Sequence, residues 1–176
     1  MKYLIIKQFF MAGIKYPIVD DHDSIIGEMS KDEAYKQGVM LRSIQIFLFD
    51  EEGRIFIQKR GSKKKRLPSY LCASVSGHVE PGESYLLAAK RELKEELGVK
   101  GEIRFLATEK TPIGNNQSAM MAHFVAKTSD EILIQTEEIE DGRYYSINEI
   151  CNLIEGGTSF TPSFLYYFDK IKKTKF

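Results

Sequence analysis

Residues 77–99 read Gly-His-Val-Glu-Pro-Gly-Glu-Ser-Tyr-Leu-Leu-Ala-Ala-Lys-Arg-Glu-Leu-Lys-Glu-Glu-Leu-Gly-Val. The stretch predicts a loop, a helix and an exit. Pro81-Gly82 is a turn dipeptide. Ser84 is an N-cap candidate, and Glu83 before it suits the positive end of a helix. Leu86, Leu87, Ala89, Leu93 and Leu97 recur at helical spacing and predict the buried stripe. Gly98 is the expected C-cap. Glu92, Glu95 and Glu96 stand at i, i+3 and i+4, and on a helix these share one face. Three acids there repel one another unless a cation sits among them. The alternative is an ordinary charged face turned to solvent. Arg91 adjoins Glu92 and can hold a carboxylate by a bidentate contact.

On the N-terminal side, Lys15 to Val19 and Ile25 to Met29 read as a hairpin around an acidic turn. Ser30 with Glu33 forms a capping box that predicts a helix over 31–38 ending at Gly38. Ser43 to Phe49 is an apolar strand, and Asp50-Glu51-Glu52-Gly53 turns it into a second strand over 54–59. Ala73 to His78 is a short strand leading into the quoted stretch. Beyond it, Glu102 to Glu109 and Met120 to Lys127 are strands joined by a polar loop from Thr111 to Ser118. Arg143 to Tyr145 is a last strand, and helices follow over 147–154 and 162–172. Strands with one long helix among them and helices at the end predict an α+β arrangement, a mixed sheet between helical layers.

The chain has 176 residues, 43% of them hydrophobic, enough for one domain with a sizeable core. Lys+Arg and Asp+Glu are 25 each. That balance argues against nucleic acid held mainly by phosphate contacts. It leaves a small phosphorylated substrate bound through metal open. Cys72 and Cys151 lie far apart and make no metal-spacing motif, so a reducing cytoplasm is the default expectation. No apolar run reaches the length of a membrane span, and Lys7 interrupts the short Leu4-Ile5-Ile6 run. The apolar first twelve residues could bury against a second subunit, as a homodimer would require.

The stretch from Gly77 to Val99 resembles the Nudix box: Gly, five residues, Glu, seven residues, Arg-Glu, an aliphatic, any residue, Glu-Glu, any residue, Gly, aliphatic. Every specified position is filled, and a chance match at one site is roughly one in a billion at average residue usage. The resemblance implies a Nudix-type α/β/α sandwich over 1–176 as a single domain. Residues 1–40 would be an extension with hairpin and short helix, 41–155 the core, and 156–176 a C-terminal helix. It also implies hydrolysis of a diphosphate linkage in a nucleoside diphosphate joined to another group. Glu92, Glu95 and Glu96 would then hold Mg²⁺ or Mn²⁺, with the Gly77 carbonyl as a further ligand and Arg91 as orienter. The general base would be Glu92, or one of Glu137, Glu138 and Glu140, unless that acidic run is a solvated turn. Glu83 would fix the loop rather than touch metal. Lys59, Arg60 and His78 are the expected substrate-binding residues. The basic run Lys63-Lys64-Lys65-Arg66 would meet phosphate or remain a solvated loop. Tyr70, Phe105, Tyr144 and Tyr145 would stack a base or pack in the core, and His123 is read as structural.

The N-terminal pattern, with Ile26-Gly27-Glu28-Met29-Ser30-Lys31 and Ser74-Val75-Ser76-Gly77-His78, is similar to isopentenyl-diphosphate isomerases of the same superfamily. That reaction needs a Cys immediately before the Gly-His pair, and Ser76 stands there. The isomerase's early metal histidines fall on Tyr35 and Arg42, and its later carboxylates near Gln117 and Ala119. Only His78 remains of that set. The resemblance therefore implies isomerase-like architecture with hydrolase chemistry. The alternatives are the isomerase itself or a non-catalytic nucleotide-binding module.

Overall fold

The computed structural model describes residues 13–173. The first twelve residues, read as a surface for a second subunit, lie outside the described residues.

Among the described residues, nine strands form one mixed, branching sheet. Its axis is β3 (Met40–Phe49), which is apolar on both faces because other layers cover both. Ile44, Ile46 and Leu48 point to one core, and Phe47 and Phe49 to the other. Strand β8 (Gln117–Lys127) runs parallel along one edge of β3, from Arg42↔Met120 to Phe49↔Lys127. On the other edge β3 meets β4 (Ile55–Arg60) only at Phe49↔Ile55. The two strands then part. Strand β6 (Val75–His78) pairs with β3, whereas β5 (Leu71–Cys72) and β9 (Ile139–Tyr145) pair with β4. The opening between the arms becomes the cleft described below.

Helix α2 (Tyr85–Leu97) covers the first core through Ala88, Ala89, Leu93 and Leu97. Helices α3 (Ile147–Glu155) and α4 (Pro162–Ile171) cover the second through Ile150, Phe164, Tyr167, Phe168 and Ile171. This is the α+β sandwich the sequence predicts. The expected hairpin is β1 (Tyr16–Val19) with β2 (Ile25–Met29), and the short helix is α1 (Lys31–Gln37). Ser30 Oγ accepts from Glu33 N–H, and Gly38 ends α1 at φ 70°. This extension joins the sheet through β1–β3 pairing and closes a third small core of Tyr16, Ile18, Ala34 and Leu41.

Two expected loops are regular structure. The segment read as a polar loop from 111 to 118 is the tip of a long hairpin of β7 (Glu102–Gly114) with β8, turned by Asn115-Asn116. Both asparagines have positive φ, 52° and 55°, which that residue type tolerates in tight hairpin turns. The last strand begins at Ile139 rather than Arg143, because Ile139 is buried and pairs opposite Arg60. Part of the acidic run is thus held on the sheet.

His123 is a structural residue, as expected. It lies fully buried on β8, stacked on Tyr167 with ring centroids 3.6 Å apart, and its Nε2 is 3.1 Å from Thr111 Oγ1. Burial first, then the nearby Lys170 ammonium, pushes its pKa down to about 3. The folded state keeps the ring neutral while the unfolded chain protonates near its ordinary value of about 6.5. Stability is therefore complete above that value and falls as pH drops toward 3, by on the order of 1.4 kcal/mol per pH unit at most. Replacing His123 with Phe should flatten the decline of the melting temperature between pH 6.5 and 3. An unchanged slope in thermal melts would contradict this origin.

Candidate active site

Helix α2 begins at Ser84, whose Oγ accepts from Leu87 N–H, and ends at Gly98 with φ 71°. Its buried stripe differs from the expected one. Leu86 and Leu87 are exposed, and Tyr85 packs on the core instead. The sequence 85, 89, 93, 97 is a strict i+4 ladder, and the two leucines lie off it in the first turn. The consequence for the site is direct, because Glu92 and Glu96 then fall on the flank that meets β6 and β4.

Arg91 is the junction of this region. Its Nε and Nη2 donate to the two oxygens of Glu83 at 2.8 and 2.9 Å. Nη2 also donates to the His78 carbonyl at 2.9 Å, and Nη1 donates to Glu92 Oε1 at 2.8 Å. Glu95 lies 3.6 Å from the same Nη1. The bidentate partner is therefore Glu83, which also accepts from Glu80 N–H. Glu83 fixes the loop, as expected. These donated bonds pull its carboxyl below the usual range. Gly77 matters for space. A Cβ at this position would lie 2.1 Å from the Glu92 carboxylate, so only glycine lets the strand pass beneath it.

Glu96 is buried and accepts from Gln58 Nε2 at 2.8 Å. Burial, followed by the charge of Glu92, pushes its pKa up to about 8, and the Gln58 bond only partly opposes this. Burial also raises Glu92, against the pull of Arg91. Glu95 is the most exposed of the three, with 40% of its side chain open. Among the described residues, no three acidic, histidine or cysteine side chains already converge as a metal cage. The donor set nevertheless fits a hard divalent cation: all ligands are oxygens, and two desolvated carboxylates stand beside a glycine backbone. A cation there would offset the burial, and the repulsion second to it, that raise both carboxyls.

The acids line a cleft of about 1190 Å³ whose other wall is cationic. The loop 61–68 brings Lys63, Lys64 and Arg66 to that wall, and α1 brings Lys31. Lys64 is paired with Glu138 at 2.6 Å. Arg66 stacks over Tyr35 at 4.2 Å and donates to Gln117 Oε1 at 2.6 Å. Gln117 in turn donates to the Tyr35 carbonyl. His78 Nε2 is 2.7 Å from Tyr35 Oη, and burial among Lys31, Arg66, Lys64 and Arg60 holds the ring well below its ordinary pKa. Tyr35, His78 and Gln117 thus come together as the isomerase-like pattern implies, but around a guanidinium. Arg42 is elsewhere, paired with Asp23 at 2.7 Å.

The expected substrate-binding residues divide. His78 and Arg60 line the cleft, but the Arg60 guanidinium donates to the carbonyls of Leu67 and Arg66 and so braces the loop. Lys59, one residue earlier on β4, is not among the lining residues and pairs with Glu140 at 2.6 Å. Strand alternation explains the split. Glu137, Glu138 and Glu140 all reach the cleft. The aromatics named for base stacking do not: Tyr144 packs edge-on against Phe56, Phe105 against Phe124, and Tyr145 lies under Arg143. The cleft's aromatic rings are Tyr16 and Tyr35, from the extension. For Tyr35 the signal in the sequence is its place in the isomerase-like pattern; nothing in the sequence reading marks Tyr16.

Comparison with known proteins agrees with this architecture. The family model described as the NUDIX domain matches residues 40–168. An isopentenyl-diphosphate Delta-isomerase of Serratia proteamaculans is 39% identical over 87 residues, which are 49% of this chain and 49% of the relative. The chain thus spans about half the length of that relative. An uncharacterized Nudix hydrolase of Streptomyces coelicolor is 33% identical over 124 residues, covering 69% of this chain and 68% of the relative. A crystal structure of a protein from Deinococcus radiodurans superposes with a TM-score of 0.78 at 24% identity, covering 91% of this chain and 99% of that one. At that identity it speaks for the fold alone. With the box complete, the sandwich in place and the family match extending over most of the sequence, the chain belongs to the NUDIX domain family.

Proposed function

We propose that the chain is a divalent-metal-dependent hydrolase of a diphosphate linkage, acting on a nucleoside diphosphate joined to another group or a related small phosphorylated compound. The observation that carries this reading is the pair Glu92 and Glu96, desolvated side by side against Gly77 and open to a cleft with a cationic far wall. Glu92, Glu95 and Glu96, with the Gly77 carbonyl, would hold Mg²⁺ or Mn²⁺. Such an ion supplies charge neutralisation of the diphosphate and a more acidic water. In hydrolysis the water oxygen joins phosphorus, the bridging P–O bond breaks, and a water proton passes to a carboxylate.

The chain's own residues divide the remaining work. Arg91 keeps Glu92 in one orientation and ties it to the loop through Glu83. Lys63, Lys64 and Lys31 face the diphosphate's negative charge across the cleft. For the proton acceptor, Glu92 and Glu138 are the favoured pair of candidates. Glu138, though paired with Lys64, acts electrostatically on both Glu92 and Glu96; Glu140 is engaged by Lys59 and Ser69, and Glu137 is tied to Gln135 in its own turn. A cytoplasmic setting suits this chemistry. No helix among the described residues is long and apolar enough to cross a membrane.

Isomerisation of isopentenyl diphosphate is disfavoured. Ser76 holds the position where the acid thiol would stand, and Cys72 is fully buried with its thiol pushed up to about 12 by burial. A panel of diphosphates incubated with Mg²⁺ should release phosphate or nucleoside monophosphate, and isopentenyl diphosphate should yield no allylic product. An allylic product without hydrolysis would overturn the reading. A non-catalytic module would show neither product.

Two substitutions test the site. Glu96→Gln should lower turnover at least about a hundredfold while the metal-free melting temperature holds or rises, since it removes a charge that burial penalises. Full activity in the purified variant would sink the assignment. Gly77→Ala should cost a similar factor, because the added methyl must push Glu92 aside. Wild-type metal affinity in that variant, measured by calorimetry, would show that the cradle does not matter.

A further inference from the structure

Strand β3 turns Ile44, Ile46 and Leu48 toward helix α2. The preceding position in that row is Arg42, where the apolar side chains give way to a guanidinium. It grips one residue of the β1–β2 turn twice. Nε donates to Asp23 Oδ1 at 2.7 Å, and Nη2 donates to the Asp23 carbonyl at 2.6 Å. The two side chains are only 22% and 27% exposed, so solvent screens the pair less than it would a surface one. Tyr85 Oη donates to the same Asp23 Oδ1 at 3.0 Å, and the Arg42 guanidinium lies 5.5 Å from the centre of the Tyr85 ring. Burial, then the Asp23 charge, push the Tyr85 phenol up, so it stays a donor. Asp23 has φ 62°, a left-handed backbone that Asp tolerates better than most residues. Asp20 braces the turn around it, accepting at Oδ1 from the His22 and Ser24 N–H groups, both at 2.9 Å.

This cluster holds both ends of the loop 79–84. At its start, Val79 N–H donates to the Arg42 carbonyl at 3.0 Å. At its end stands Tyr85, the first residue of α2. Between them Glu83 is held by Arg91, which also holds Glu92. Asp23, Arg42 and Tyr85 are not themselves among the described residues that line the cleft. They reach the chemistry through the loop. Displacing its exit shifts Glu83, two residues away, and with it the guanidinium that orients Glu92. Sites whose supporting residues are loose by about an ångström lose function, and partners that orient a ligand carboxylate matter nearly as much as the ligand.

We propose that Asp23, Arg42 and Tyr85 are positioning residues for the divalent cation: the N-terminal hairpin clamps the loop 79–84 from outside the cleft and, through Glu83 and Arg91, sets the orientation of Glu92. This rests on the metal reading of Glu92, Glu95 and Glu96, and it gives the hairpin a part in that site.

Titration of the full chain with Mn²⁺ by calorimetry tests this without turnover. Tyr85→Phe keeps the ring beside Arg42 and removes only the hydroxyl, and it should weaken Mn²⁺ binding about fivefold, the scale of one hydrogen bond. Asp23→Ala should weaken it about tenfold or more, as loss of a group that orients a metal's ligands does. The double variant should bind no worse than Asp23→Ala, because both changes cut the same link. Asp23→Asn keeps an acceptor oxygen and tolerates the left-handed backbone, so it should recover most of the affinity. Asp21→Ala is the control: it breaks the exposed pair with Lys110 in the same turn and should leave the affinity unchanged. Unchanged affinity in Tyr85→Phe and Asp23→Ala, with only the melting temperature lowered, would overturn the proposal and leave the cluster a structural clip. Losses that add in the double variant, or an equal loss in Asp21→Ala, would overturn it too. Should Asp23→Ala not fold, Tyr85→Phe against Asp21→Ala decides. No Mn²⁺ binding by the unaltered chain would sink the metal reading and this proposal with it, whereas binding that the variants leave intact would sink the clamp alone.

Discussion

One guanidinium has to satisfy three parts of the chain at once. Arg91 joins the Glu83 carboxylate of the loop, the His78 carbonyl of β6 and the Glu92 carboxylate of its own helix. Each bond is to a partly buried acceptor, where charge-assisted hydrogen bonds are strongest. The loop 79–84 therefore cannot swing out without leaving a buried charge unpaired. The strand cannot drift from the helix without losing the same cation. The close passage of Gly77 beneath Glu92 is a consequence of that tie, and the crowding of Glu92 and Glu96 follows from it.

Crowding has a sign. Two carboxylates withdrawn from water and facing one another favour a proton or a cation, and apart from the Arg91 bond to Glu92 the basic side chains of the cleft make their contacts elsewhere. Lys64 goes to Glu138, Arg66 goes to Gln117 and Tyr35, and Arg60 goes to loop carbonyls. The cleft is thus divided into an acidic wall, short of one positive partner, and a cationic wall that braces itself. The N-terminal extension belongs to the second wall. Tyr35 and Lys31 reach the cleft only because the β1–β3 pairing and the Ala34 contact seat α1 against the sheet.

The parts of this site that a linear reading reaches are those set by local periodicity. Helix spacing alone places Glu92, Glu95, Glu96 and Arg91 together, and the capping residues Ser84 and Gly98 bound the helix as the sequence implies. The match of the box also leads to the family and the sandwich. What local spacing does not carry is distance across the chain. That Glu83 is the bidentate partner of Arg91 depends on how the loop folds back. That Lys59 pairs with Glu140 and stays off the cleft depends on which face of β4 each residue takes, together with the register shift between Lys59 and Arg60. Leu86 and Leu87 satisfy the count of a stripe without satisfying its phase, and both are exposed. The polar tip at Asn115-Asn116 reads locally as a loop, and only its pairing across β7 and β8 makes it a hairpin turn.

The likeness to isomerases and the intact box pull in different directions, and the geometry reconciles them. Positions Tyr35, His78 and Gln117 do come together in space, as the resemblance to isomerases implies. Their side chains cannot form a cation site there. Tyr35 offers a hydroxyl already 2.7 Å from His78, Gln117 is committed to Arg66, and the Arg66 guanidinium lies over the Tyr35 ring. A divalent ion would have to displace an arginine to enter. Conversely, the acidic flank of α2 sets Glu92 and Glu96 beside Gly77, and the nearby Cys72 thiol is fully buried with its pKa pushed up to about 12 by burial. In this chain the extension therefore meets His78 with an arginine-backed ring, and the carboxylates withdrawn from water are those of the box.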